Sequence, residues 1–503
     1  MLAHHYLTAL DLDRASGAET GELATRARLR LREAGDRAYG LSAFPAARRF
    51  YNAAVELWPA DDEDLAELLF RRARAVHSFE PTLSLDLITE ARDALRAAGD
   101  LAQTAEAEIL AGEVFWLLGR RDEGFERVHA AQALIADQSI SYSKAYVVAN
   151  VSRFAALAGE NDDAIRFGRE ALAMGDELGI DPIRSHALNN MGFAKVAIGD
   201  AGGIDDLERS VAVAVEANSI ESVRAYGNLA SVFADLGELE RAEAARAEAL
   251  RLGKRFGVED WLRWIRSDQV WGLYFQGEWD EALEQLNAIL PEAADRGFWI
   301  ETPLRWVRGR IRLARDEVRG AQEDAERGLD RAEAAKDPQV LWPALAFGAR
   351  AVAGTDRDHA GRLASELLSD WQAHDLGIGG EMAWLSDIAV ALVALGQETE
   401  LVALVGGSRI KTPWRKAAAA YISGDFQAAA AEYSAIGALP EEADARLRAA
   451  ERLFGEGRRA EADAELNRSL AFWRSVGATA YVGQGEALLT TGASADAGRS
   501  GRS

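Results

Sequence analysis

A glycine followed five residues later by a small or apolar residue recurs along the chain at a nearly constant spacing. Five clear copies begin at Gly119, Gly159, Gly199, Gly237 and Gly277, so successive glycines are 40, 40, 38 and 40 residues apart. A fixed period in this range is typical of repeat arrays in which each repeat is one helix pair. An array that occupies most of the chain leaves no room for a separate catalytic domain. We therefore expect the function to lie in a surface.

The sequence around each glycine predicts two helices joined by a tight turn. In the sixth repeat the first helix, helix A, starts at Ser222, and the second, helix B, starts at Leu239. Gly237 stands between them, where a glycine accepts the left-handed conformation that ends many helices. Ala242, Ala245 and Ala249 share one face of helix B, which lets helix A approach closely.

The positions of the small residues resemble the tetratricopeptide repeat. The residues that match the family's helix-pair contacts in the sixth and fifth repeats are Ala230, Gly237, Ala242 and Ala249, and Gly192, Gly199, Ile204 and Val211. The resemblance implies an all-α, right-handed α-solenoid of about 11–12 helix pairs with a period near 40 residues. Its second helices are marked by residues 47, 84, 124, 164, 204, 242, 282, 321, 360, 401, 429 and 462.

We divide the chain into three segments on this basis. Residues 1–33 are expected to form N-terminal helices that lead into the array, and residues 34–480 form the superhelix. Residues 481–503 are expected to hold a terminal helix remnant and a tail. Residues 492–503 are small and polar, which predicts a disordered tail.

The two ends of the array show a narrower resemblance. The opening from Leu2, the segment 37–59 and the closing segment 471–489 are similar to the repeat region of large bacterial signalling ATPases. In those proteins the repeats follow a class III nucleotide cyclase domain and an AAA/STAND-type ATPase, and serve as a sensor or partner-binding arm. The chain has no Gly-x-x-x-x-Gly-Lys-Ser/Thr phosphate loop. The resemblance implies a repeat arm alone, with a nucleotide cyclase or an AAA/STAND ATPase as its partner.

Composition excludes several classes of function. The chain has no cysteine, which rules out disulfides and thiolate metal sites and suits a cytoplasmic location. Its net charge of −24 disfavours direct binding to nucleic acid or to an anionic membrane. His4 and His5 are adjacent and lack the i, i+4 spacing of a zinc helix, and the remaining histidines lie in separate repeats without ligand-spaced partners. No nucleophile motif is present. We expect no catalytic residue, no metal ligand and no cofactor.

Three asparagines occupy the same position of helix A in the fourth to sixth repeats: Asn150, Asn190 and Asn228. The tetratricopeptide resemblance implies that this position faces the concave groove, where relatives use such amides to hold an extended peptide. A primary amide offers both donors and an acceptor, so it can pair with a peptide backbone without recognising side chains. The alternative is that the amides satisfy backbone groups of neighbouring helices or water.

Further residues share the groove register. They are Tyr146, Arg153, His186, Asn189, Phe193, Arg224, Trp264 and Trp271. Arg153 and Arg224 suit a carboxylate or phosphate on a ligand, although pairing with local Glu or Asp is the alternative. Trp264 and Trp271 are seven residues apart and share one helix face. We interpret the rest of the tryptophan cluster between residues 261 and 306 as core.

These observations predict a non-catalytic interaction module in signalling or transcriptional control. It would capture an extended peptide or a partner domain in its groove near repeats four to seven. One alternative is a small-molecule sensor that uses the tryptophan-rich repeats five to eight. A second alternative, a cyclase or ATPase enzyme, is disfavoured because the phosphate loop is missing. A third is a gene fragment that folds without a partner.

Overall fold

The computed structural model describes residues 5, 8–9, 21–293, 298–374, 380–407 and 410–500. Within these ranges the structure has 25 α-helices and one 3-10 helix at Pro81–Leu83, with no strand. The all-α fold class predicted from the sequence is therefore confirmed.

The helices follow one another along the chain with short connections. In chain order they are α1 (Gly21–Gly40), α2 (Phe44–Val55), α3 (Leu65–His77), α4 (Leu85–Ala97), α5 (Leu101–Leu117), α6 (Arg121–Ile135), α7 (Tyr142–Ala158), α8 (Asn161–Leu178), α9 (Asp181–Ala197), α10 (Gly202–Glu216), α11 (Glu221–Asp235), α12 (Leu239–Phe256), α13 (Glu259–Gln276), α14 (Trp279–Ala293), α15 (Phe298–Ala314), α16 (Val318–Ala335), α17 (Pro338–Val352), α18 (Arg357–His374), α19 (Glu381–Leu395), α20 (Thr399–Gly407), α21 (Pro413–Ile422), α22 (Phe426–Ile436), α23 (Leu439–Gly455), α24 (Arg459–Ser475) and α25 (Thr479–Ser500).

The glycine period marks the turn inside each helix pair. The five glycines that define it have φ angles between 75° and 81°, in the left-handed region that glycine adopts without strain. Each of the twelve marker residues predicted for helix B lies in an even-numbered helix from α2 to α24, or, for Ser84, directly before one. The described chain thus holds twelve helix pairs followed by α25, which agrees with the predicted repeat number.

Small residues let the two helices of a pair approach closely. A Cβ atom added at Gly192 in α9 would lie 2.7 Å from the backbone oxygen of Gly203 in α10. In the third pair, a Cβ at Gly112 would lie 3.0 Å from the backbone oxygen of Gly124. Since real Cβ atoms essentially never come within 3.0 Å of another heavy atom, glycine at 192 is required for this spacing.

The contacts divide the chain into two compact units. Unit 1 consists of residues 1–194, 203–226 and 248–263, and unit 2 consists of residues 195–202, 227–247 and 264–503. In unit 1, α1 to α8 pack in sequential pairs, and the first helices of neighbouring pairs, α3, α5 and α7, also contact one another. A repeat array in which each repeat contacts its neighbours has this pattern.

Unit 2 departs from that pattern because its C-terminal helices pack against its first helices, which are far away in the sequence. Trp414 Nε1 in α21 donates to the backbone oxygen of Ala234 in α11 at 2.9 Å. The rings of Trp279 and Trp473, in α14 and α24, have centroids 6.1 Å apart. Contacts between repeats so far apart in the chain bury side chains that a simple array would leave on its inner face.

The segment boundaries predicted from the sequence stay predictions. Most of residues 1–20 lie outside the described residues, and α1 begins at Gly21. The backbone of α25 is helical to Ser500, across part of the predicted tail, and residues 501–503 lie outside the described part. No described helix is long and apolar enough to cross a lipid bilayer.

Candidate functional site

A line of polar side chains crosses five first helices of unit 1. Its members, which we call the polar row, are His77 (α3), Glu113 (α5), Arg153 (α7), Asn190 (α9) and Arg224 (α11). Each comes from a different helix pair, at a spacing close to the repeat period; Glu113 and Arg153 are 40 residues apart. The repeat therefore places one polar side chain per pair along the same face.

Direct contacts join the members of the row. His77 Nε2 lies 2.9 Å from Glu113 Oε2, and Arg153 Nη1 donates to Glu113 Oε1 at 2.9 Å. Arg224 Nη1 donates to Asn190 Oδ1 at 3.1 Å. The amide of Asn190 donates to the backbone oxygen of Ala149 in α7 at 2.8 Å, which links the two halves of the row.

The environment sets the charge of each group. Burial raises the pKa of Glu113, but Arg153 and His77 outweigh this and lower that pKa to about 2, so Glu113 is ionised at neutral pH. Burial, together with Arg224 and Arg153, lowers the pKa of His186 well below its usual value, so its ring is neutral. Burial also lowers the pKa of the Arg224 guanidinium.

The predicted asparagine ladder is divided between the two units. Asn150 and Asn190 lie in unit 1 and are 0% and 4% exposed. Asn150 Nδ2 donates to the backbone oxygen of Tyr146 at 3.0 Å, and Asn190 bonds to Ala149 as described. Both amides thus donate to backbone oxygens of helices, which is the alternative to peptide binding stated for them above. Asn228 belongs to unit 2 and is half-buried. A role for the three amides in peptide binding stays a prediction.

The predicted arginines also have local partners. Arg153 pairs with Glu113, and Arg224 Nε donates to Glu221 Oε2 at 3.1 Å. Arg224 additionally donates to Asn189 Oδ1 at 3.3 Å. Both guanidiniums are therefore paired with glutamates of this chain, which is the alternative to ligand binding.

The remaining predicted residues of unit 1 lie around the row. His186 is buried, and its Nε2 has no hydrogen-bond partner among the described residues. Tyr146 is half-buried and stacks on the exposed ring of Tyr142 with centroids 6.0 Å apart. Phe193 is half-buried. The sequence register therefore brings the predicted unit 1 residues to one region.

The two predicted tryptophans lie in unit 2, and Trp271 requires a correction. Trp271 was expected to face a groove, but it is 2% exposed and the Arg310 guanidinium lies 4.7 Å above its ring. Its ring stacks on that of Phe275. The centroid of the Phe275 ring lies 5.5 Å from that of Trp414 in α21. The returning helices therefore cover Trp271. Trp264 is half-buried and packs so closely on Gly227 that a Cβ there would lie 2.5 Å from its ring.

Sequence reasoning missed His77 and Glu113. His77 has no partner at metal-ligand spacing in the sequence, and the predicted groove register covers only the fourth and later repeats. Glu113 stands one repeat period before Arg153, and this spacing was the available signal. Extending the register backwards by one repeat would have found it.

The exposed part of the polar row determines what it can bind. The side chains of Arg153 and Glu113 are 18% and 14% exposed, so a ligand can reach both an anion and a cation. Together with the exposed ring of Tyr142, they offer hydrogen bonds and an apolar surface to a chain laid across the helices. Within the described residues, no group of three or more His, Asp or Glu is placed to hold a metal ion.

Comparisons with known proteins identify the fold. No protein-family model and no curated protein sequence matches the chain. A Rap protein crystallised with Competence and Sporulation Factor is similar to the chain with a TM-score of 0.52 and 12% sequence identity, over 69% of this chain and 98% of the Rap chain.

Two further structures are similar over parts of the chain. Aspartyl phosphate phosphatase F from Bacillus subtilis has a TM-score of 0.36 and 16% identity, over 58% of this chain and 75% of its own. The Rap conjugation gene regulator of the plasmid pLS20, in complex with the Phr* peptide, has a TM-score of 0.31 and 18% identity, over 62% of this chain and 73% of its own. These two scores are too low to support an argument. The first similarity shows that the chain has a tetratricopeptide-type helical-repeat fold of the kind found in the Rap protein.

Proposed function

We propose that the chain is a non-catalytic regulatory protein that binds an extended peptide, or an extended segment of a partner protein, along the polar row of unit 1. The observation that supports this most is the continuity of the row across five helix pairs. A ligand that lies across the third and fourth pairs meets Glu113 and Arg153, and the buried Asn190 and Arg224 hold the next two pairs in the same register. A surface that continues from pair to pair suits the extended backbone of a peptide. The Rap protein of similar fold is complexed with Competence and Sporulation Factor in its crystal structure.

The charges of the row define the ligand further. Arg153 and Glu113 already pair with each other, so a ligand with a single charge must displace part of that pair. A peptide that presents a carboxylate to Arg153 and a donor to Glu113 would replace both contacts at once. Charge-assisted hydrogen bonds of this kind are about twice as strong as neutral ones. We therefore propose a ligand segment with an acidic and a donor side chain close together.

The partner and the location belong to the same proposal. The resemblance of the chain ends to the repeat region of signalling ATPases supports a nucleotide cyclase or an AAA/STAND-type ATPase as the protein that carries the bound segment. The absence of cysteine supports a cytoplasmic setting. Both statements rest on the sequence.

Selection from a displayed library of linear peptides tests the proposal. The purified chain should enrich peptides with a shared acidic residue, whose affinity is then measured by fluorescence anisotropy. Arg153→Gln should weaken the enriched peptides roughly tenfold, the effect of losing one charge-assisted bond. Arg166→Gln is the matched control, because Arg166 is exposed and its described contacts, with Asp163 and the Phe167 ring, are to its own helix.

Two outcomes would contradict the proposal: selection without enrichment, or enriched peptides that bind the Arg153→Gln chain as tightly as the wild type. Circular dichroism of both variants shows whether the helices are retained. The asparagines are unsuitable as the first test, since Asn150 and Asn190 bond to helix backbone and their loss would disturb packing.

A further inference from the structure

Every stack of helix pairs has two opposite edges. We call the residues that join helix A to helix B of one pair the turn edge. The residues that join helix B to helix A of the next pair form the linker edge. Because each pair stacks on the one before, the turns of neighbouring pairs lie on one side of the stack and the linkers on the other. None of the residues on these edges belongs to the polar row, so the inference does not rest on the proposed function.

In unit 2 the two kinds of edge pack against each other. Gly237 forms the turn of the sixth pair, and a Cβ atom added to it would lie 3.1 Å from the side chain of Pro413, which begins α21. The same Cβ would lie 3.2 Å from Cγ1 of Ile436, which ends α22. Pro413 and Ile436 both adjoin linkers. Apolar side chains of a linker edge therefore cover this turn.

The next two turns of unit 2 show the same arrangement. At the turn of the seventh pair, a Cβ atom added to Gly277 would lie 2.9 Å from the ring of Phe472, in the last turn of α24. At the turn of the eighth pair, Arg315 Nη2 donates to the backbone oxygen of Val476, in the linker after α24, at 3.1 Å. Three successive turns thus each contact residues at or beside a linker. The turn edge and the linker edge of this array therefore fit each other.

Unit 1 exposes apolar side chains on its turn edge. Leu41, at the turn of the first pair, is 81% exposed, and Leu83, at the turn of the second pair, is 64% exposed. These two turns are neighbours, because the hydroxyl groups of Tyr39 and Ser78 beside them are 3.4 Å apart. Leu118, at the turn of the third pair, is also exposed. Apolar patches that continue over neighbouring elements mark protein–protein interaction sites.

The linker edge of unit 1 is apolar as well. Ile140 lies in the linker before α7 and is exposed, and so are Leu101, which begins α5, and Leu178, which ends α8. In unit 2 the start of a helix A and the end of a helix B are the positions of Pro413 and Ile436, which pack on a turn. Unit 1 therefore exposes both kinds of edge that fit each other in unit 2.

We propose that two copies of this chain associate through unit 1, with the turn edge of one copy on the linker edge of the other. A second copy is the occupant that the structure favours, because it brings the kind of edge that already packs on turns in unit 2. The contact joins two different surfaces, so a further copy can add at either end of the dimer. The net charge of −24 on each copy opposes the association, and salt screens this repulsion.

Sedimentation velocity of the full chain at increasing protein concentration tests the proposal. The wild type should associate in the micromolar range in about 0.5 M NaCl, and more weakly in about 0.05 M NaCl. The double variant Leu41→Glu/Leu83→Glu places charges on the turn edge, and Leu101→Glu/Ile140→Glu places them on the linker edge. Each double variant alone should stay monomeric. Val402→Glu, at an exposed position within α20, is the control and should associate as the wild type does.

A mixture of the two double variants distinguishes this contact from other modes of association. One intact turn edge and one intact linker edge remain in the mixture, so the variants should form a one-to-one dimer and no larger species. The proposal is overturned if the wild type stays monomeric at about 100 μM in the higher salt, or if either double variant associates as the wild type does. It is also overturned if the mixture stays monomeric while circular dichroism shows that both variants are folded. The wild-type measurement decides the case in which a variant fails to fold.

Discussion

At the scale of single residues, the amides of the first helices hold neighbouring repeats together. Asn190 is the clearest case, because it donates to the Ala149 backbone in one helix and accepts from Arg224 in another. A buried guanidinium that loses an acceptor keeps its desolvation cost without compensation. Asparagine, the residue type that suits peptide binding, therefore also suits the contacts between helices of neighbouring repeats.

Asn190→Ala should lower the free energy of unfolding by roughly 1 to 3 kcal/mol, because it leaves both the Ala149 oxygen and Arg224 with one partner fewer. Urea denaturation followed by circular dichroism measures the effect. Asn52→Ala is the control, since Asn52 is exposed on α2 and should change stability by less than about 0.5 kcal/mol. Equal effects of the two substitutions would show that the buried contacts of Asn190 are not stabilising.

The residue scale also shows how far the candidate site was predictable. The helical register places Tyr146, Arg153, His186 and Asn189 in one region, because residues at equivalent repeat positions share a face. Their role in binding stays a prediction. The sequence did not decide whether an amide bonds to a ligand or to the next helix, since both need the same donor and acceptor. Only the distance from Asn190 to Ala149 distinguishes them in the free protein.

At the scale of helices and turns, the glycine period fixes where each pair bends. Gly237 ends α11 with φ of 75°, and a Cβ added to it would lie 3.1 Å from the Pro413 side chain. Position 237 therefore requires glycine for two reasons: the backbone is left-handed, and a side chain there would contact α21. Gly257 has φ of 68° and nothing within 4 Å of such a Cβ, so it carries only the first.

Gly237→Ala should destabilise the chain more than Gly257→Ala does. The left-handed backbone costs both variants about 1 to 2 kcal/mol, and the contact with Pro413 adds about 1 kcal/mol or more at position 237. Thermal unfolding of the two variants under identical conditions gives the comparison. Equal melting temperatures would mean that Pro413 and α21 move aside without cost.

The helix pairs were predictable from the sequence and the return of the C-terminal helices was not. The period of Gly, Ala and small apolar residues is a local signal, so it located all twelve second helices, including the weakly matching ones near residues 84, 360 and 401. The bond from Trp414 to Ala234 joins residues 180 positions apart. No periodic pattern encodes such a contact, and for that reason Trp271 was placed on a groove instead of in the core.

At the scale of the whole molecule, buried carboxylates make stability depend on pH. Burial raises the pKa of Asp235 to about 7, against the backbone N–H of Gly380, which donates to it at 2.9 Å. Burial raises the pKa of Glu441 to about 7 as well. In the pH range between the ordinary carboxyl pKa near 4 and 7, the folded chain holds more protons than the unfolded chain at these two positions. Stability contributed by these groups is therefore present at low pH and lost as the pH rises through 7.

Glu113 changes the stability in the opposite direction with pH, and it does so in a lower pH range. Its pKa of about 2 lies below the ordinary value, so its contribution is present above the ordinary pKa and is lost as the pH falls towards 2. Between pH 5.5 and 8 it is ionised in both the folded and the unfolded chain. It therefore does not mask the effect of Asp235 and Glu441.

Wild-type stability should accordingly be lower at pH 8 than at pH 5.5, with a contribution of about 2 kcal/mol from each raised carboxyl, since the difference accumulates only between pH 5.5 and 7. Asp235→Asn and Glu441→Gln replace each group by a neutral one of similar shape, so the double variant should lose most of this difference. Urea denaturation midpoints at the two pH values measure it, with Glu451→Gln as a variant that retains the wild-type dependence. A double variant with the same pH dependence as the wild type would show that these carboxyls stay ionised in the fold, and that unit 2 stabilises their charge by contacts other than the ones described.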